Sequence, residues 1–219
     1  VTGAQTNGVY KAIRSESNGT SSVSEIRFIE TDGTNNNTAI GFATAASAGA
    51  ISEKVRIHPS GVASFNNGIE LGSGLDATAA NTLDDYEEGT WTPVVHGSGA
   101  GAYTYSGVTS RYTKIGNLVT LTCQLTNITT SGSGHAGYLQ IRNAPFNKIG
   151  DTFPVGSVEL SSIDMSSGTS FATVQFITSG STNTLYIRQH GDNSEGADLP
   201  VTGINSGTSD ITISIQYTA

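Results

Sequence analysis

A strict alternation of apolar and polar residues near the end of the chain is the feature that most constrains its fold. Residues 211–217 read Ile-Thr-Ile-Ser-Ile-Gln-Tyr. Since successive side chains of a strand point to opposite faces, this period of two predicts a β-strand. We expect its Ile/Tyr face to be buried, and its Thr/Ser/Gln face to be wet or paired with a neighbouring protomer.

Further strand-like segments follow one another at short intervals after Trp91. Gly116-Asn117 has the form of a two-residue loop that closes a hairpin between two of them. About seven strands in the last 129 residues predict a β-sandwich or jelly roll. The predicted strands before the final one are 111–115, 118–126, 138–142, 153–163, 171–177 and 185–189.

The first part of the chain, to about residue 75, shows only very short apolar stretches between turn signals. Ile26–Phe28 and Val55–Ile57 are examples, each followed within a few residues by a turn that contains Gly33 or Gly61. Strands of three or four residues cannot bury a core within one chain. Three parallel copies wound about an axis would bury what one copy cannot, so we expect this part to need partners.

Composition supports an all-β chain and argues against two classes of partner. Only 13% of the residues are charged, Gly, Ser, Thr and Asn are abundant, and no segment shows a sustained helical apolar stripe. The net charge is −8, and the ten basic residues form no cluster. Nucleic acid is therefore not an expected partner. Because no apolar run reaches 18 residues, we expect no membrane insertion.

Motifs that would supply chemistry are weak. Gly132-Ser-Gly134-His-Ala-Gly137 matches a dinucleotide fingerprint literally, but a Thr/Ser run precedes it and a strand follows, which favours a flexible loop. The four histidines lack zinc-ligand spacing, so we expect no metal and no cofactor. Cys123, the single cysteine, shares a face with three apolar residues and is expected to be buried.

The residues best suited to contact a ligand lie in the second half of the chain. His135 and His190 stand in loops rich in Gly, Ser and Asn, beside Tyr138 and Asp192. With Tyr186, these side chains offer exposed polar rings and aromatic faces that can stack on sugars. Ordinary solvated loops are the alternative for each of them. We expect the receptor-binding residues to be Tyr138, His135, His190, Asp192 and Tyr186.

Three segments together resemble bacteriophage tail fibres at the junction between a thin shaft and a globular receptor-reading tip. Residues 83–93 read Leu-Asp-Asp-Tyr-Glu-Glu-Gly-Thr-Trp-Thr-Pro, and the flanking segments are Arg-Ile-His-Pro-Ser-Gly at 56–61 and Arg-Tyr-Thr-Lys-Ile-Gly-Asn-Leu-Val at 111–119. The resemblance covers roughly residues 55–125. It implies a fibre shaft at 1–75, an acidic junction at 76–92 and a C-terminal β-sandwich receptor-binding domain at 93–219.

The same resemblance implies a function and partners. Such fibres are homotrimers in the phage tail, assembled in the host cytoplasm with other tail proteins. They attach the virion to a bacterial surface polysaccharide or outer-membrane protein and are not enzymes. We expect the acidic run to bind a cation or backbone amides between protomers. Because residue 1 is Val, we also expect the chain to be a fragment of a longer polypeptide.

Two alternative functions remain open. A tailspike depolymerase would need a long parallel β-helix with carboxylates in a groove, and this chain looks too short and too poor in charge. A structural spacer would need no exposed aromatic residues. Glycan release would distinguish the first alternative, and cell binding the second.

Overall fold

The chain folds into two compact units, residues 1–84 and 85–219, in a computed structural model. The structure describes residues 10–16, 22–32, 37–45, 51–71, 82–83, 85–97, 99, 101–150, 153–178, 183–192 and 195–219. Most of these residues lie in strands, and the helical element among them is a single 3-10 turn at Val201–Gly203. The expected all-β class is confirmed.

The first unit contains an antiparallel sheet whose five strands follow chain order. The expected three- or four-residue strands are wrong here, because β2 has 11 residues and β3 has 8. Ser, Thr and charged residues extend these strands through backbone hydrogen bonds, and a pattern of apolar residues does not predict such bonds. The strands are β1 Tyr10–Glu16, β2 Ser22–Asp32, β3 Asn37–Thr44, β4 Ser52–Ile57 and β5 Ala63–Phe65, and the pair β6 Ile69–Glu70 and β7 Thr82–Leu83 stands apart.

The two faces of this first sheet are chemically opposite. On one face Glu25, 3% exposed, accepts hydrogen bonds from Arg14 Nε at 2.7 Å and Arg27 Nε at 2.6 Å. Burial by itself would raise the pKa of Glu25, but the two guanidinium groups hold it below its ordinary value. The other face carries seven large side chains in register, each 37–65% exposed, with the half-buried Val55 among them. The seven are Ile13, Ile26, Phe28, Ile40, Phe42, Ile57 and Phe65.

The second unit is one antiparallel sheet of 11 strands that curls around a single core. Its hydrogen-bonded order is β8-β11-β12-β18-β14-β15-β16-β13-β9, while β10 pairs with β12 and β17 with β16. The sheet curls back on itself, since β10 also contacts β9. The strands are β8 Tyr86–Gly89, β9 Val94–His96, β10 Ala102–Thr104, β11 Gly107–Ile115, β12 Leu118–Ser131, β13 Gln140–Arg142, β14 Val155–Ser161, β15 Thr169–Thr178, β16 Thr184–Gly191, β17 Ala197–Asp198 and β18 Ser209–Thr218.

The core of the second unit confirms the face assignment of the last strand. Ile213 is 2% exposed, whereas Ser214 on the opposite face of β18 is exposed. Cys123, expected to be a buried small hydrophobe, is 3% exposed on the neighbouring strand β12. Trp91 is also in this core, and its indole Nε1 donates a hydrogen bond to the Thr122 carbonyl at 3.2 Å.

From Asp85 onward the acidic run belongs to the second unit and has partners within it. β8 pairs with β11, which places Asp85 against Lys114 in an ion pair. The hydroxyl of Tyr112 donates to Glu87 at 2.6 Å. Glu88 accepts a hydrogen bond from the Tyr86 hydroxyl. Three carboxylates of the run therefore have partners within the same chain.

Candidate functional site

The outer face of strands β14, β15 and β16 presents aromatic and polar side chains together. The inner faces of β15 and β16 bury Val174, Phe176, Leu185 and Ile187, so the alternate residues point away from the core. Register places these outer residues side by side in rows across the strands: Val155 opposite Gln175 opposite Tyr186, Thr173 opposite Arg188, and Phe171 opposite His190.

A groove of about 690 Å³ lies on this outer face. Its volume is that of an ordinary small-molecule site. One part of the lining is apolar and the other part can form hydrogen bonds, which is the combination that fixes both the position and the orientation of a ligand. The lining residues are Phe153, Val155, Phe171 and Ile177 on the apolar side, with Thr173, Gln175, Arg188, His190 and Gly196.

Phe171 and His190 form a stacked pair at one end of the groove. Their ring centroids are 4.9 Å apart and their planes differ by 14°. His190 Nε2 lies 2.9 Å from the Thr173 hydroxyl, a hydrogen bond that fixes the orientation of the imidazole. Because Phe171 is 56% exposed even though His190 covers part of it, the ring offers an aromatic surface to a ligand.

Arg188 brings the cationic group of the groove, and its charge is largely compensated. Asp198 on β17 pairs with it in register, with Asp198 Oδ1 3.5 Å from Arg188 Nη1. The guanidinium also donates to the Gly196 carbonyl. A Cβ at Gly196 would lie 2.5 Å from the His190 ring, so glycine allows this segment to approach the stacked pair. The guanidinium is therefore held in place beside the aromatic pair.

The structure brings some of the predicted receptor-binding residues together. His190 and Tyr186 share the outer face of β16, and Asp192 is exposed in the turn that follows this strand. Tyr138 is 51% exposed and forms a β-bridge with Pro200. It lies two residues before Gln140, which pairs with Tyr186.

His135 does not have the exposed ring that its loop predicts. Its imidazole packs edge-on against Tyr103, with ring centroids 5.0 Å apart and planes at 72°. Both ring nitrogens are buried and have no hydrogen-bond partner among the described residues. Gly101 makes this packing possible, since a Cβ there would lie 2.1 Å from His135 Nδ1. The expectation that the ring nitrogens of His135 are exposed is wrong, while its contact with a receptor stays a prediction.

The surrounding glycine segment is a loop, as its sequence context predicts. Gly132, Gly134 and Gly137 all have positive φ, between 79° and 87°. The residues that follow enter strand β13 rather than a helix. A dinucleotide site needs a helix N-terminus at this point, so the segment lacks that geometry.

The sequence interpretation missed Phe153, Val155, Phe171 and Arg188 as site residues. One signal could have found Phe171. In β15, Ala172, Val174 and Phe176 share one face, so the same period of two puts Phe171 with Thr173 and Gln175 on the other. An exposed aromatic residue in line with polar ones is more informative than an apolar run.

The described residues that line the groove include neither a carboxylate nor a serine or cysteine, while His190 and Thr173 contribute an imidazole and a hydroxyl. Within the part of the chain that the structure describes, no three His, Cys, Asp or Glu residues are grouped to hold a metal ion. The same described residues contain no helix long and apolar enough to cross a membrane.

Comparisons with known proteins give no assignment. No protein-family model matches the chain, and no curated protein matches it.

Proposed function

We propose that this chain is the distal part of a bacteriophage tail fibre, which attaches the virion to the surface of a bacterial host without enzymatic activity. The groove on the outer face of β14–β16 is the observation that carries the proposal. A stacked aromatic pair, an oriented guanidinium and an apolar wall share one rigid sheet face. The resemblance of residues 55–125 to the shaft–tip junction of tail fibres supports the same function.

The composition of the groove favours attachment over the two alternatives. Hydrolysis of a glycosidic bond ordinarily requires two carboxyl groups about 5 to 9.5 Å apart that face one cleft, and none of the described residues that line the groove carries a carboxyl group. A structural spacer has no need for a concave site with Phe153, Val155 and Phe171 each more than half exposed. The receptor class proposed is a surface polysaccharide or an outer-membrane protein.

The proposal includes a homotrimer, and the apolar face of the first sheet supports it. The seven large side chains on that face are each 37–65% exposed and lie next to one another in register. Contiguous apolar patches larger than a few hundred Å² are rare on monomeric proteins and mark interaction surfaces. Lys11 and Glu30 lie on the same face at one end, where they would form a polar rim. Covering this face with other copies would bury it.

Cell binding tests the proposed function. Labelled full-length chain should bind bacteria of a susceptible strain saturably, and Phe171→Ala should weaken that binding. Val108→Ala is the control, because Val108 is 48% exposed on β11, outside the groove. Purified protein should release no saccharide from the same cells. Release of sugar fragments would overturn the non-enzymatic assignment. Equal binding by Phe171→Ala and Val108→Ala would show that the groove does not take part in attachment.

A further inference from the structure

We infer that the groove is a subsite for a neutral saccharide, one pyranose ring of which lies flat against Phe171. This inference rests on the proposed attachment function, and it names the ligand class and the surface. It places recognition on the face of the sheet, where strand register fixes the side chains, instead of in the loops around His135.

The aromatic pair provides the stacking surface. A pyranose ring has a face of C–H groups that packs on an aromatic ring, and the ring needs an accessible face and a fixed orientation to receive it. Phe171 satisfies both conditions, since it is 56% exposed and stacks on His190 at 4.9 Å. His190 is itself held by the Thr173 hydroxyl. The stacking surface is therefore ordered before a ligand arrives.

The polar groups beside the pair suit hydroxyls. Gln175 supplies both a donor and an acceptor, and the N–H groups of Arg188 that Gly196 and Asp198 do not engage can donate. Sugar hydroxyls both donate and accept, so this mixed set can satisfy them. Phe153 and Val155, both more than half exposed, give an apolar wall for the C–H edge of the sugar.

The charges around the groove select against an anionic sugar. Asp198 compensates the guanidinium of Arg188 in its own strand pair. The chain as a whole has a net charge of −8, which repels polyanions at low salt. A second cation, the Lys148 ammonium, lies 5.4 Å from the centre of the Phe153 ring and donates a hydrogen bond to the Gly150 carbonyl. A uronic acid or sialic acid would thus meet two cations that already have partners, within an acidic protein, whereas a neutral sugar is not repelled by the net charge.

The test uses the full chain and defined sugars. Saturation-transfer NMR and calorimetry would compare methyl glucoside, methyl mannoside, methyl galactoside, rhamnose and N-acetylglucosamine with glucuronate and sialic acid. At least one neutral sugar should bind more tightly than both anions. Phe171→Ala should weaken binding of the neutral sugar at least fivefold, and Gln175→Ala should weaken it by a smaller factor. Val108→Ala should leave the binding unchanged.

Fluorescence of Trp91 and the thermal midpoint verify that each variant is folded. The inference is overturned if no neutral sugar binds, if an anion binds best, or if Phe171→Ala binds like the parent. If the parent still attaches to cells in any of these cases, the saccharide subsite fails while the attachment function stands. If a neutral sugar binds in the groove but no bacterium is bound, the attachment function fails while the subsite stands.

Discussion

Two adjacent substitutions in the last strand give the sharpest test of the second unit. Ile213→Asp puts a carboxylate into the core, where Ile213 is 2% exposed. Ser214→Asp puts the same group on the outer face, where Ser214 pairs with Thr122 and Ser157 and no charged residue is opposite. Both variants place the same new side chain on the same strand. The difference between their free energies of unfolding therefore reports only on which face of the sheet carries the carboxylate.

The expected losses differ severalfold. Removing the buried isoleucine costs about 2–3 kcal/mol of transfer free energy. Keeping a buried carboxyl neutral at pH 7, with its pKa raised by 3 units or more, costs about 4 kcal/mol. The total of about 6 kcal/mol is comparable with the whole stability of an ordinary domain. Ser214→Asp should cost less than about 1 kcal/mol, as exposed strand substitutions do.

Urea unfolding followed by fluorescence measures both values. Trp91 is the single tryptophan and lies in the core of the second unit, so its emission reports on this unit. If Ile213→Asp does not fold at pH 7, Ile213→Thr provides a milder step of about 2 kcal/mol. The raised pKa of the new carboxyl means that Ile213→Asp should regain stability relative to the parent near pH 4. Equal losses from Ile213→Asp and Ser214→Asp would refute the assignment of the outer face to solvent.

Three further predictions concern other parts of the chain. Light scattering should give about three times the chain mass of 22.6 kDa. Phe42→Asp, on the apolar face of the first sheet, should shift the protein from trimer towards monomer. A parent protein that is monomeric at micromolar concentration would contradict the trimer. Burial raises the pKa of the Cys123 thiol from 9.0 to about 12, so the folded protein keeps a proton that the unfolded chain loses. The free energy of unfolding should therefore fall as pH rises from about 9 towards 12, and Cys123→Ala should lessen that fall. A thiol reagent at pH 8 should react with Cys123 only after unfolding. Rapid reaction of the folded protein would contradict the burial of this side chain. A Cβ at Gly156 would lie 2.3 Å from the Ser214 carbonyl oxygen, so Gly156→Ala should lower the free energy of unfolding by several kcal/mol. Gly132→Ala, at a positive φ with open space around it, should cost about 1 kcal/mol, and similar losses at both glycines would argue against the close β14–β18 packing.

Local patterns predicted the long strands of the second unit and the tight hairpin well. The alternation at 211–217 identified both the strand and its buried face, and Gly116-Asn117 does join β11 to β12, with Gly116 at φ +55°. The short strands β9, β10 and β17 have two or three residues each, too few to show a period. They form because neighbouring strands offer hydrogen-bonding groups, and such pairing depends on residues distant in the chain.

The candidate site could be predicted only in part, because it too depends on contacts between residues that are distant in the chain. Phe171 and His190 are 19 positions apart in sequence, and the register of β15 against β16 makes them neighbours. The burial of His135 depends on Tyr103 and on the absence of a side chain at Gly101, both more than thirty residues away. Residue type alone indicated that histidines and tyrosines could bind sugars, whereas their exposure is set by tertiary contacts.

We propose that the chain attaches to a bacterial surface through the outer face of β14–β16. The most direct test of this proposal is flow cytometry of the labelled full chain against a broad panel of bacterial strains that covers the main classes of surface polysaccharide and outer-membrane protein. We expect saturable binding to a subset of strains and loss of that binding when the surface receptor of those strains is deleted. Phe171→Ala should weaken the binding, and Val108→Ala should not. Binding to no strain, or equal binding to all strains by the parent and Phe171→Ala, would contradict the proposal.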